Sequence, residues 1–199
     1  EETWQNAEVD ALYLLANARV RVAKPYGCFD GVLLMELVTD GTGAVAPRLS
    51  DVSMSEEQAL EDHALVMHYV VLMLCAGIVH GDLSEFNVLV DDYGPVIIDL
   101  PQAVDASANN HAESMLERDV NNMTQYYGQF APELLDSQYA KEIWALYEAG
   151  DLKPGVELNG NFAEATELSD VDGVLEEIKA VLFEERKRQE RQAEDQESS

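Results

Sequence analysis

Basic residues are scarce in this chain. Lys and Arg number 12 against 39 Asp and Glu, for a formal net charge of −27 over 199 residues. A protein that grips nucleic acid by neutralising phosphates needs the opposite sign, so little direct RNA affinity is expected. An anionic membrane surface would repel the chain as well. The acid excess reads as a heavily solvated surface. Cysteine is almost absent. Cys28 and Cys75 make no CxxC pair, and each is expected to be a buried small hydrophobe rather than a ligand or redox group. No run of about 18 apolar residues exists, so no transmembrane helix is expected. The start Glu1-Glu2-Thr3-Trp4 has no basic-then-apolar pattern of a signal peptide. These features together point to a cytoplasmic protein.

What is present is ordinary for a globular domain. Hydrophobic residues make up 47% and charged residues 26%, which excludes a wholly disordered chain. Apolar spacing predicts a helix from Thr3 to Ala18. Two short β runs follow, Lys24 to Phe29 and Val32 to Leu37, with Asp30-Gly31 between them as a hairpin turn. Gly41, Gly43 and Pro47 mark a loop. Ser55 with Gln58 is a capping signature that opens a helix from Glu56 to Cys75, ended by Gly77. Further helices are expected near His111 to Tyr127, Ala131 to Tyr147 and Val171 to Gln192, the last capped by Ser169. Asp151 to Ser169 reads as a linker, and the polar end after Phe183 is expected to fray.

The chemistry concentrates between His80 and Asp99. Val88-Leu89-Val90 and Val96-Ile97-Ile98 flank a turn-rich stretch, and Pro95, which has no N–H donor, is expected in the loop. Pairing Val90 with Val96 then sets Asn87 opposite Asp99, so an amide oxygen and a carboxylate converge at the open end of the hairpin. Two hard oxygen ligands, with room for water and phosphate, suit Mg²⁺. Five residues before Asn87 stands Asp82, a carboxylate able to orient or deprotonate a hydroxyl. That set suits phosphoryl transfer.

The spacing is also a familiar one. His80-Gly81-Asp82-Leu83-Ser84-Glu85-Phe86-Asn87, followed by Ile97-Ile98-Asp99, is similar to the H-R-D-L-x-x-x-N loop and metal Asp of protein kinases. Gly81 in place of the Arg, and Asp99-Leu100-Pro101-Gln102, resemble the RIO family of atypical protein kinases. Arg118-Asp119 with Asn122 resembles that family's R-D-x-x-N helix. Val32 to Leu37 with Ala46-Pro47-Arg48-Leu49 resembles its hinge and following loop, and Tyr139 to Pro154 looks most like bacterial members of the RIO-one branch.

The resemblance implies an α+β, protein-kinase-like fold, mostly the helical C-lobe with part of the N-lobe sheet. It implies a partial N-lobe over 1–38 and a C-lobe over 39–150; composition and apolar spacing add a linker over 151–169 and a C-terminal helix with its tail over 170–199. It implies ATP and Mg²⁺ as cofactors, a protein substrate, and a link to small ribosomal subunit assembly. Asp82 would be catalytic. Asn87 and Asp99 would hold Mg²⁺, and Asp99 would also be a candidate phosphate acceptor. Met35, Glu36 and Leu37 would form the adenine hinge, and Glu8 would pair with the ATP-binding Lys. In the family that Lys and the phosphate-covering loop precede the Glu helix. Here the first Lys is Lys24 and no Gly-rich nucleotide loop occurs, so the natural protein is expected to be longer. A protein limited to these residues would be a weak or dead kinase.

Plainer readings stand beside these. His80 reads as a structural anchor, and His63, His68 and His111 as ordinary helix positions. Ala131-Pro132-Glu133 reads as Pro at a helix start rather than as a kinase motif. Two other functions remain open: a small-molecule phosphotransferase, which shares H-G-D-x-x-x-x-N, and a non-catalytic nucleotide-binding assembly factor.

Overall fold

The computed structural model describes residues 2–30 and 32–162. The helix expected near Val171, its Ser169 cap and the polar tail lie outside the described residues. The first helix, α1, spans Glu2–Asn17. Strands β1 (Pro25–Phe29) and β2 (Val32–Met35) form an antiparallel hairpin with Phe29 opposite Val32, as the Asp30-Gly31 turn predicts. Helix α2 (Glu56–Cys75) begins where Ser55 Oγ accepts the Gln58 N–H at 3.2 Å. Gly77, at φ +81°, carries the chain out of it. Every residue from Tyr69 to Leu74 is buried, so this end of α2 has no solvent face and forms the centre of the core.

Around α2 pack Leu12 and Leu15 of α1, and Leu116, Val120, Met123 and Tyr127 of helix α3 (Ala112–Tyr127). Ile143 of helix α4 (Tyr139–Glu148) joins the same core. The helix expected from Ala131 to Tyr147 is therefore two pieces, a 3₁₀ turn at Pro132–Asp136 and then α4. Ser137 separates them in extended conformation. Its hydroxyl donates to the Leu134 carbonyl at 2.6 Å, a local bond that competes with helix continuation. Pro132 sits at the start of the 3₁₀ turn, where its missing N–H costs nothing. Residues 151–161 carry no helix or strand. Leu152, Val156 and Leu158 nevertheless pack on the core, and the Gln138 N–H donates to the Gly160 carbonyl at 2.7 Å.

The cysteine expectation needs correcting. Cys28 is half-buried, and Cys75 is exposed at the last residue of α2, beyond the buried stretch; both are free thiols.

Two small β pairs frame the central loop. Strand β3 (Ile78–Val79) leads into it and pairs with β6 (Val104–Asp105), which leaves it. Between them lies the hairpin of β4 (Val88–Asp91) and β5 (Gly94–Ile97). Its register differs from the expected one by a residue. Val88 lies opposite Ile97, Leu89 opposite Val96 and Val90 opposite Pro95, with Asp92-Tyr93 as a two-residue turn. The flanks explain how Pro95 joins the ladder. The Val90 N–H points away from β5 and donates to the Pro47 carbonyl at 2.9 Å. The Ile97 N–H likewise turns outward, to the Arg21 carbonyl at 2.8 Å. Val90 and Pro95 thus occupy a non-hydrogen-bonded pair, where the missing proline N–H breaks no rung.

Candidate active site

The shifted register puts Asn87 opposite Ile98, whose N–H donates to the Asn87 carbonyl at 3.0 Å. Asp99 is one residue further on, at φ +66°, where the chain leaves the strand. Direct opposition of Asn87 and Asp99 is therefore not how they meet. They line one cleft because the left-handed turn at Asp99 redirects the backbone beside the end of β4.

That cleft has a volume of about 310 Å³. Its apolar floor is Ala23, Val38, Leu89 and Ile98, part of a second small core centred on Ala23, Val38, Ala46 and Val96. Met35, Glu36 and Leu37 line one side, and Glu8 of α1 joins Asn87 and Asp99. The Glu36 N–H is taken by the Lys24 carbonyl at 2.8 Å. The Leu37 N–H and Glu36 carbonyl enter no hydrogen bond among the described residues. Six of the seven residues singled out from the sequence thus share this one hollow. The seventh, Asp82, touches it through Asn87, whose Nδ2 donates to the Asp82 carbonyl at 2.8 Å and to Asp82 Oδ2 at 3.3 Å.

The loop carrying Asp82 is fixed from below. His80 is 1% exposed. Its Nδ1 accepts the Asp82 N–H at 3.3 Å, so Nε2 carries the ring proton and donates to the Ile98 carbonyl at 3.2 Å. Burial lowers the His80 pKa, against the pull of that bond and of Asp82 and Asp99, and keeps the ring neutral. His80 thereby ties the Asp82 loop to the strand that ends at Asp99.

Helix α3 supplies the rest of the support. Asp119 accepts the Gly81 N–H at 2.7 Å and the Leu83 N–H at 3.0 Å. Arg118 donates to the Gly81 carbonyl, and Asn122 Nδ2 to the Leu83 carbonyl at 3.1 Å. Burial pushes the Asp119 carboxyl up to about 6, opposed by those two N–H donors and by Arg118. Gly81 is required where it stands. At φ +83°, an added Cβ would lie 2.6 Å from the Gln102 carbonyl oxygen and 2.6 Å from Met115 Cε. This geometry is why the chain has no Arg at this position. Spacing alone pointed to the Asp119 helix only through resemblance, because contacts across nearly forty residues leave no local periodicity.

The donor set fits a small hard cation. Asn87 spends its Nδ2 on Asp82, which leaves its amide oxygen without a hydrogen bond among the described residues, in a cleft that Asp99 also lines. Glu8 has its pKa raised by burial and by the charge of Asp99, so acids crowd this end of the cleft. Among the described residues no cluster of three or more His, Cys, Asp or Glu could hold a metal by itself. One carboxylate and one amide, completed by phosphate and water, is the kind of set Mg²⁺ takes. A larger hollow of about 620 Å³ lies at the start of α2, lined by Glu61, Asp62, Asp91 and Asp92 with no Lys or Arg. Its acidic lining disfavours an anionic ligand.

An α+β arrangement of this kind, with a hinge, an apolar floor and an Asp loop braced by a helix, is a protein-kinase-like domain. A RIO domain family model matches residues 1–140. The chain belongs to the RIO family. It is 39% identical over 127 residues to the RIO-type serine/threonine-protein kinase Rio1 of Haloferax volcanii, covering 62% of this chain and 41% of that protein. It is 33% identical over 127 residues to serine/threonine-protein kinase RIO1 of Homo sapiens, covering 63% of this chain and 22% of the human protein. Over 78 residues it is 40% identical to the RIO-type serine/threonine-protein kinase Rio2 of Methanocaldococcus jannaschii, covering 39% of this chain and 28% of that one. The chain therefore spans less than half the length of these relatives. No helix among the described residues is long and apolar enough to cross a membrane.

Proposed function

We propose that this protein is a serine/threonine protein kinase that transfers the γ-phosphate of ATP to a protein hydroxyl, with ATPase turnover at the same site. One observation carries the reading. Asn87 holds Asp82 by hydrogen bonds while lining the same cleft as Asp99 and the hinge segment.

The apolar floor takes the adenine ring, and the free Leu37 N–H and Glu36 carbonyl meet its edge. Asn87 Oδ1 and Asp99 hold Mg²⁺, which when bound neutralises charge on the phosphates. Asp82 accepts the proton of the Ser or Thr hydroxyl as that oxygen bonds to the γ-phosphorus and the bond to the ADP oxygen breaks. For ATPase turnover an Asp99 carboxylate oxygen is the candidate acceptor: it bonds to the γ-phosphorus as the bond to the ADP oxygen breaks and ADP leaves, and water then hydrolyses the acyl phosphate to free phosphate and the carboxylate. By the family resemblance Glu8 takes the place of the acid that partners the ATP-binding lysine. The family resemblance makes small ribosomal subunit assembly the setting, with contact through protein, since the acidic surface disfavours RNA.

The test is phosphotransfer by Asp82→Asn. An amide cannot take the proton, so turnover should fall on the order of 10²-fold with ATP affinity retained. Unchanged phosphotransfer would defeat the mechanism.

A further inference from the structure

Three acids line the cleft, Glu8, Glu36 and Asp99, and they face a ligand that is itself strongly anionic. A single base lines it with them, Arg48. We propose that Arg48 is the group of this chain that recognises the phosphates of the nucleotide, an assignment that rests on the nucleotide-binding reading above.

The backbone at Arg48 is pinned on two sides. It forms an antiparallel bridge with Leu89 of β4, and its carbonyl accepts the Asp51 N–H at 2.9 Å as the chain enters a 3₁₀ turn. The next residue, Leu49, is fully buried and anchors that turn. The preceding Pro47 accepts the Val90 N–H, so the segment is laced to the strand that ends at Asn87. The side chain is used for none of this. It is exposed, and among the described residues its guanidinium enters no hydrogen bond and no ion pair.

That freedom is informative in a chain with 39 acids and 12 bases. Arg21 is paired with Asp91, and Arg118 is bonded to the Gly81 carbonyl. Among the described residues, Arg48 alone has a fixed backbone, an unpaired guanidinium and a place in the cleft. A guanidinium offers five donors in a planar fork that matches phosphate oxygens, which is the group these surroundings otherwise lack.

The experiment is calorimetric titration of the whole protein with ATP, ADP and adenosine, at fixed Mg²⁺, for the wild type, Arg48→Gln and Arg48→Lys. ATP and ADP affinity should drop roughly tenfold in Arg48→Gln, the size of one charge-assisted hydrogen bond. Arg48→Lys should recover part of the loss, and adenosine should bind all three alike, which also reports an intact fold. Unchanged ATP and ADP affinity in Arg48→Gln would overturn the proposal, and so would an equal loss for adenosine. A raised KM for protein substrate with unchanged nucleotide affinity would overturn it too, and would assign Arg48 to the peptide. Failure of the wild type to bind any of the three would overturn the nucleotide reading itself.

Discussion

His63 and Asp119 are each 1% exposed, and burial moves their proton affinities in opposite directions. His63 bonds Thr124 Oγ1 at 3.0 Å and stacks edge-on against Tyr127; burial lowers its pKa to about 4. Asp119 is pushed up to about 6. As pH falls from about 6.5 to 4, the unfolded chain protonates His63 while the folded one does not, so His63 costs about 3 kcal/mol of stability. Between about 6 and 4 the folded chain protonates Asp119 while the unfolded one does not, which returns about 3 kcal/mol. In the wild type these two effects offset each other. Relative to the wild type, stability in urea from pH 6 to 4 should therefore fall with acid in Asp119→Asn and rise with acid in His63→Phe. Parallel profiles for all three would contradict the two assignments.

At the scale of elements, what could be read from the chain was whatever local chemistry decides. The Ser55 cap and the Gly77 exit bound α2 where its residues say they should. Half of the capping box forms: Gln58 sends its side chain to Asp62 Oδ1 at 2.9 Å, not back to the Ser55 N–H. The β4–β5 register was not legible, because the groups that let Pro95 join the ladder belong to Pro47 and Arg21, far away in sequence. The break at Ser137 escaped for a similar reason, since Gly160 holds the Gln138 N–H. The register has a direct check by NMR. Non-hydrogen-bonded pairs bring Cα atoms to about 4.5 Å, so Hα–Hα cross-peaks should join Val88 to Ile97 and Val90 to Pro95. Cross-peaks from Val88 to Ile98 would restore the alternative pairing.

For the whole molecule, the candidate site was legible in its residue types and not in its construction. Asn87 and Asp99, singled out by spacing, line one cleft, yet they do so through a left-handed Asp99 and an Asn87–Asp82 hydrogen bond instead of through strand opposition. The brace from α3 and the neutral His80 tie hold the Asp82 loop and the strand that ends at Asp99 in one frame. The acid excess adds a requirement. With a net charge of −27, the field of the chain opposes an anionic ligand, so the nucleotide binding proposed here should strengthen when cations mask the phosphates.

The proposed sharing of one divalent cation by Asn87 and Asp99, beside Asp82, is open to calorimetric titration of ATP, with and without Mg²⁺, into the wild type and Asp99→Asn. Mg²⁺ should tighten ATP binding at least tenfold in the wild type, and Asp99→Asn should lose that gain. An equal Mg²⁺ effect in both proteins would contradict it.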